Sequence, residues 1–189
     1  MEIILASQSP RRKELLELMG LSFTIKVANI DETMTPGADP AEEVGRVSRL
    51  KAMAIHADEE ALVIAADTIV VCQGKILGKP HSKQEAEDML TLLSGRDHQV
   101  MTGYTVRKGD RLLTHTEVSH IHFRPLAPAE IRAYVETGEP MDKAGAYGIQ
   151  GKAALFVSRV EGDYYNVMGL PICTLGQSLR SFGVRILGV

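Results

Sequence analysis

The sequence predicts an α/β fold, a sheet with helices packed on it, and three patterns carry that prediction. The run from Ala61 to Val71, ALVIAADTIVV, is apolar at nearly every position, as in a strand covered on both faces. The chain opens as strand, polar turn and helix, and further helical segments alternate with strands along its length. Two long runs, His98 to Arg107 and Arg111 to Arg124, meet at Lys108-Gly109-Asp110 as an antiparallel hairpin. At 189 residues there is room for one well-buried core, so residues 1–189 read as a single domain with two lobes at most.

The elements follow in order. Ile3 to Ala6 reads as a short buried strand. Ser9 then caps a helix that has Pro10 at its first position, Leu15, Leu16, Leu18 and Met19 at helical spacing, and Gly20 as its close. Phe23 to Ala28 is a strand, and Pro40 to about His56 a helix containing Lys51. After the Ala61–Val71 strand, Gly74 makes a turn and Lys75 to Gly78 is its hairpin partner. Ser82 caps a helix to Leu93, with Glu85 as capping-box partner. Pro128 to Val135 is a helix, and Gly138, Gly145, Gly148 and Gly151 predict irregular backbone packed close to something. Val157 to Val160 and Tyr164 to Met168 read as strands, and Pro171 starts a closing helix to about Phe182.

Composition excludes several classes. A hydrophobic share of 44% with 24% charged residues is that of an ordinary globular chain. The net charge of −3 argues against duplex nucleic acid as partner. No window reaches the roughly 20 apolar residues of a membrane helix, and the apolar start is too short for a signal peptide, so a cytoplasmic protein is expected. Cys72 and Cys173 have no metal-type spacing and read as buried free thiols.

Five places carry chemistry: Ser7 to Lys13, Asp31-Glu32, Asp67-Thr68, Lys79 and Gln150. Cations are disfavoured at a helix N-terminus, yet Arg11, Arg12 and Lys13 crowd the first turn; a polyanion would explain them, and so would a solvated face. Asp67 lies within an apolar strand, where a carboxylate is costly unless paired or bound to a metal. Singly, Glu32 also reads as a loop acid, Lys51 and Lys79 as surface lysines, and Asp67 as a structural acid. Together they supply cations and hard oxygen ligands, which a polyphosphate and a magnesium or manganese ion require.

LASQSPRRKELLELMG, IDE at 30–32, AADTIV at 65–70, LGKP at 77–80, LSGRDHQVMTG at 93–103, DKAGAYGIQG at 142–151 and GDYYNVMGLP at 162–171 resemble, in order and nearly end to end, the Maf family. The lead-in Val47-Ser48-Arg49-Leu50 departs from the family's usual pattern before Lys51-Ala52. The resemblance implies an elongated, mixed, twisted sheet flanked by helices, two lobes around a central cleft, as in inosine triphosphate pyrophosphatases. It implies hydrolysis of dTTP or UTP to monophosphate and pyrophosphate with a divalent cation. On that basis Asp67 is the proton acceptor, Glu32 and Asp67 face the metal, and Ser7, Arg12, Lys13, Lys51 and Lys79 bind phosphate. Arg11, Thr68 and Gln150 tune base choice. The amide of Gln150 offers a donor and an acceptor that suit the O4 and N3–H of uracil or thymine. The resemblance suggests a homodimer, and a nucleotide-sensing role in cell division remains the rival reading.

Overall fold

The helices begin where their capping chemistry puts them. In the computed structural model, which describes residues 1–188, strand β1 (Ile3–Leu5) leads into helix α1 (Pro10–Leu18). Ser9 caps α1 by accepting from the Arg12 amide, Pro10 fills the first turn, and Gly20 takes a left-handed φ of 73° just beyond it. Strand β2 (Thr24–Ile25) is shorter than the 23–28 run predicts. Helix α2 (Pro40–Met53) is capped by Asp39, which accepts from the amides of Ala41 and Glu42. Then come β3 (Leu62–Cys72), β4 (Lys75–Leu77) and helix α3 (Lys83–Leu93). The Ser82 cap of α3 forms, but the Glu85 carboxylate reaches one residue further back than a capping box would, to the His81 amide at 2.7 Å.

Strands β5 (Asp97–Lys108) and β6 (Arg111–Phe123) are the predicted hairpin. After helix α4 (Pro128–Glu136), the glycine-rich segment forms three short 3-10 turns, and strand β7 (Val157–Glu161) follows. Tyr164–Met168 is not the expected strand; it is a short helix, α5. Asp163 redirects it: its carboxylate accepts from the Tyr165 amide at 2.7 Å and its carbonyl from the Val167 amide, so local capping overrides the β propensity of Tyr-Tyr-Asn-Val. Helix α6 (Ile172–Ser181) closes the fold. It buries Leu175 and Leu179 and leaves Cys173 exposed, so only Cys72 is the buried thiol predicted for both; both are free.

The seven strands form one mixed sheet in the order β2-β1-β3-β5-β6-β7, with β4 paired to β3. β1 runs parallel to β2 and to Leu62–Ile64, whereas β4 runs antiparallel to Val70–Cys72. The chain divides into two compact units, the first comprising residues 1–67, 102–117 and 169–189 and the second 68–101 and 118–168. In the first, Ile4, Ala6, Val63 and Ala65 pack with Ala52 of α2 and with Ile55 just beyond its end. At Gly103 on β5 the backbone of α2 comes so close that a β-carbon would lie 2.6 Å from the Val44 carbonyl. The second unit has its own core, in which Leu90 and Leu93 of α3, Ile131 and Val135 of α4, Val100, Ile121, Phe123 and Tyr147 meet. Among the described residues no helix is long and apolar enough to cross a membrane.

Candidate active site

The predicted charges of the first unit converge, and three elements bring them there. β1 ends in the turn that starts α1, and this turn holds Ser7 and Arg12, both buried. The guanidinium of Arg12 donates through Nε to the Gly169 carbonyl at 2.9 Å and through Nη1 to Ser7 Oγ at 3.1 Å. Ser7 Oγ also accepts from the Ser9 amide at 3.2 Å, so its lone pairs are taken and its own proton is left to donate. Arg11 is half-buried, and Lys13 points into solvent beside Glu17, with Nζ–Oε1 at 3.7 Å. Of the basic triplet, Arg12 alone turns inward to the Ser7 turn, and Lys13 fits the solvated-face reading.

The second contribution comes from β3. Its alternation puts Asp67 on the same face as Val63 and Ala65, the face covered by α2. Lys51, on the last turn of α2, meets it there: Nζ lies 2.8 Å from Asp67 Oδ1 and 2.8 Å from Glu32 Oε2. Lys51 and Asp67 are 14% and 13% exposed against 57% for Glu32, so this is a partly desolvated pair with a third charge at its open side.

Glu32 arrives on a loop that α2 itself pins. Arg46 donates through Nη2 to the Thr33 carbonyl at 2.9 Å, and Glu43 accepts from the Thr35 amide at 2.6 Å. The carboxylate of Glu43 is held down at about 2 by its hydrogen bonds to Arg46 first and the Thr35 amide second. Asp31 turns away from its neighbour and accepts from the Thr33 amide, so the two adjacent acids have different tasks.

One electrostatic field links these groups. Burial lowers the pKa of Arg12, Asp67 raises it, Arg11 lowers it and Glu32 raises it. Arg12 and Lys51 stand against Asp67 and Glu32, two cations against two carboxylates. Among the described residues no group of three or more His, Cys, Asp or Glu forms a metal cage. The two carboxylates are hard oxygen donors of the kind that would suit a divalent cation. Such an array can bind a phosphate chain, neutralise it and take a proton from a water molecule.

Thr68, Lys79 and Gln150 belong to the second unit. Thr68 is half-buried, on the β3 face opposite that of Asp67, and Lys79 and Gln150 are exposed. The glycine-rich segment rests on the backbone that precedes Lys79: the Gly145 amide donates to the Gly78 carbonyl at 3.0 Å, and a β-carbon at Gly145 would collide with Val70. Sequence reasoning missed Gly169 as the acceptor that orients Arg12, although it lies within the GDYYNVMGLP motif. A surface groove of about 440 Å³ between α2 and Thr114 and Thr116 of β6 is lined by none of the predicted residues.

A family model described as Maf-like protein matches residues 2–182. A dTTP/UTP pyrophosphatase of Bacillus pumilus (strain SAFR-032) is 50% identical over 184 residues, 97% of each chain. One of Symbiobacterium thermophilum is 50% identical over 186 residues, 98% of this chain and 96% of its own. Among solved structures, a HAM1 protein from Coxiella burnetii shares the fold, with a TM-score of 0.50 at 17% identity over 96% of this chain and 99% of that one.

Proposed function

The chain belongs to the Maf family, and we propose that it is a nucleoside triphosphate pyrophosphatase that converts dTTP and UTP into the monophosphate and pyrophosphate. The observation that carries this reading is the Lys51 ammonium 2.8 Å from both Asp67 and Glu32, in the same field as buried Arg12. A cation and a base are thereby held beside a turn built to receive phosphate.

Asp67 takes the proton of a water whose oxygen attacks the α-phosphorus. The new bond is water oxygen to α-phosphorus; the bond that breaks joins that phosphorus to the bridging oxygen, which leaves with pyrophosphate. Ser7 donates its hydroxyl proton to a phosphate oxygen. Arg12, fixed by Gly169 and Ser7, sets its guanidinium charge toward the phosphates. Lys51 transfers its charge from the carboxylates to the phosphates as they arrive, and Arg11, Lys13 and Lys79 add screened positive charge. Glu32 and Asp67 would hold magnesium or manganese, which supplies charge neutralisation of the leaving pyrophosphate. Gln150 reads the carbonyl and N3–H edge of the pyrimidine, with Arg11 and Thr68 tuning the choice. The protein thus serves the cytoplasmic nucleotide pool, 5-modified pyrimidine analogues included.

The test is pyrophosphate release over a panel of ordinary and 5-substituted pyrimidine triphosphates. Asp67→Asn should lower turnover by about 10² to 10⁴ while leaving the thermal midpoint nearly unchanged. Near-normal turnover in that variant would remove Asp67 as the base. Saturable nucleotide binding by the wild type without turnover, in magnesium and in manganese, would replace the enzyme with a nucleotide sensor of cell division.

A further inference from the structure

Gln150 stands on a tight turn whose two ends are tied to one pair of side chains. The turn is Gly148-Ile149-Gln150-Gly151, closed by the Gly151 amide on the Gly148 carbonyl at 3.0 Å. Ile149 is 9% exposed and anchors the turn in the core, which leaves Gln150, the other central residue, facing outward. At the entry, the Gly148 amide donates to the phenol oxygen of Tyr134 at 3.2 Å. At the exit, the Lys152 amide donates to Glu139 Oε2 at 3.2 Å. Tyr134 closes the circuit by donating its hydroxyl to Glu139 Oε1 at 3.0 Å.

Both partners are themselves fixed. Tyr134 is 4% exposed and meets Phe156 edge-to-face at 5.1 Å. Glu139 sits at the head of a 3-10 turn, and its carbonyl accepts from Lys143 Nζ at 2.7 Å. The glycines at the ends of the turn leave room for the side chains of Lys143 and Glu139. A β-carbon on Gly148 would lie 2.6 Å from Lys143 Cε, and one on Gly151 would run into the Glu139 carboxylate. Burial, the larger effect, and the neighbouring carboxylate raise the Tyr134 pKa, so its hydroxyl stays protonated and can keep donating.

We propose that Tyr134 and Glu139 are positioning residues that clamp both ends of the Gly148–Gly151 turn and thereby set the reach and orientation of Gln150, so that base selection depends on a phenol–carboxylate pair that touches no substrate. This rests on the assignment of Gln150 to the pyrimidine edge. It deepens that assignment by adding the scaffold. A hydrogen-bonding amide discriminates only when held in place, and an ångström of misplacement can cost roughly a hundredfold.

The experiment compares kcat and KM for UTP and CTP in the wild type, Tyr134→Phe, Glu139→Gln, Gln150→Ala and the double variant Tyr134→Phe/Gln150→Ala. Tyr134→Phe keeps the packed ring and removes only the hydroxyl; Glu139→Gln keeps the shape and replaces one acceptor by a donor. Each single variant should lower the UTP over CTP ratio of kcat/KM by roughly ten- to a hundredfold, with the loss mainly in KM for UTP. The double variant should be no less selective than Gln150→Ala alone, because the clamp acts through that residue.

An unchanged ratio in both clamp variants, or losses that simply multiply in the double variant, would overturn the proposal. If Tyr134→Phe does not fold, Glu139→Gln alone and with Gln150→Ala carries the same comparison. If Gln150→Ala itself leaves the ratio unchanged, the base-reading assignment fails separately. Amide exchange at Gly148 and Lys152 then decides the clamp: faster exchange in the clamp variants upholds the tether, and unchanged exchange removes it.

Discussion

Arg11, Arg12 and Lys13 are neighbours in sequence and unlike in circumstance. Arg12 is locked by two hydrogen bonds from different nitrogens of one planar group, a geometry that a lysine ammonium does not reproduce. Arg12→Lys should therefore lower kcat/KM for UTP by roughly tenfold or more, measured as pyrophosphate release. Lys13, 53% exposed, offers a screened charge. Lys13→Gln should raise KM a few-fold with kcat kept, and the difference should fade as salt is added. Some of this contrast was legible in the sequence and some was not. Asp67 stood out because a carboxylate inside an apolar strand demands a partner. Lys51 did not, because a lysine near the end of an amphipathic helix shows its inward turn only once the helix is docked on β3. Nor does local pattern distinguish Arg12 from Lys13, since the distant carbonyl of Gly169 selects between them.

Helix starts were the most readable elements, because their chemistry lies within three or four residues. Ser9-Pro10 and Ser82 cap as their residue types require, and Asp39 does the same for α2. α2 carries Lys51 and, through Glu43 and Arg46, steadies the Glu32 loop. Asp39→Ala removes the acceptor for two amides and should cost about 1 kcal/mol in urea denaturation. An unchanged midpoint would show that solvent satisfies those amides equally well. α5 was misread for the opposite reason: aromatic and β-branched residues favour a strand, but Asp163 bends the chain into a helical turn. That turn carries Asn166, fully buried, to donate to the Val100 carbonyl and Ser119 Oγ. This anchoring by Asn166 is tertiary, adds to the local cap of Asp163, and is invisible to periodicity.

For the molecule as a whole, acid stability follows the titration of His98, Glu43 and Glu130. His98 is 3% exposed, bonded to the Tyr147 hydroxyl at 2.8 Å, and burial depresses its pKa to about 4 against the upward pull of Asp97. Unfolded chains hold that proton from about pH 6.5 downward while the folded one holds it only near 4, so stability falls as pH drops through this window. Glu43 and Glu130, each held at about 2 by hydrogen bonds from an arginine, lose their contributions lower still, between the ordinary 4.5 and 2. The urea midpoint should decline from pH 6.5 to 4, and His98→Gln should flatten that slope; an equal slope would move the titration elsewhere. Gly103→Ala should cost about 1 to 3 kcal/mol by the same measurement, because the Val44 backbone cannot retreat as a flexible side chain would. The same contact bears on how the chain finds its alignment. If β5 slid by two residues, Met101 or Thr105 would face Val44 where only bare backbone fits, and a slide by one would turn the strand over. The hydrogen-bond ladder alone tolerates such slippage. Gly103 acts as the notch that tells one alignment from its neighbours, because the Val44 backbone of α2 can seat against β5 only there.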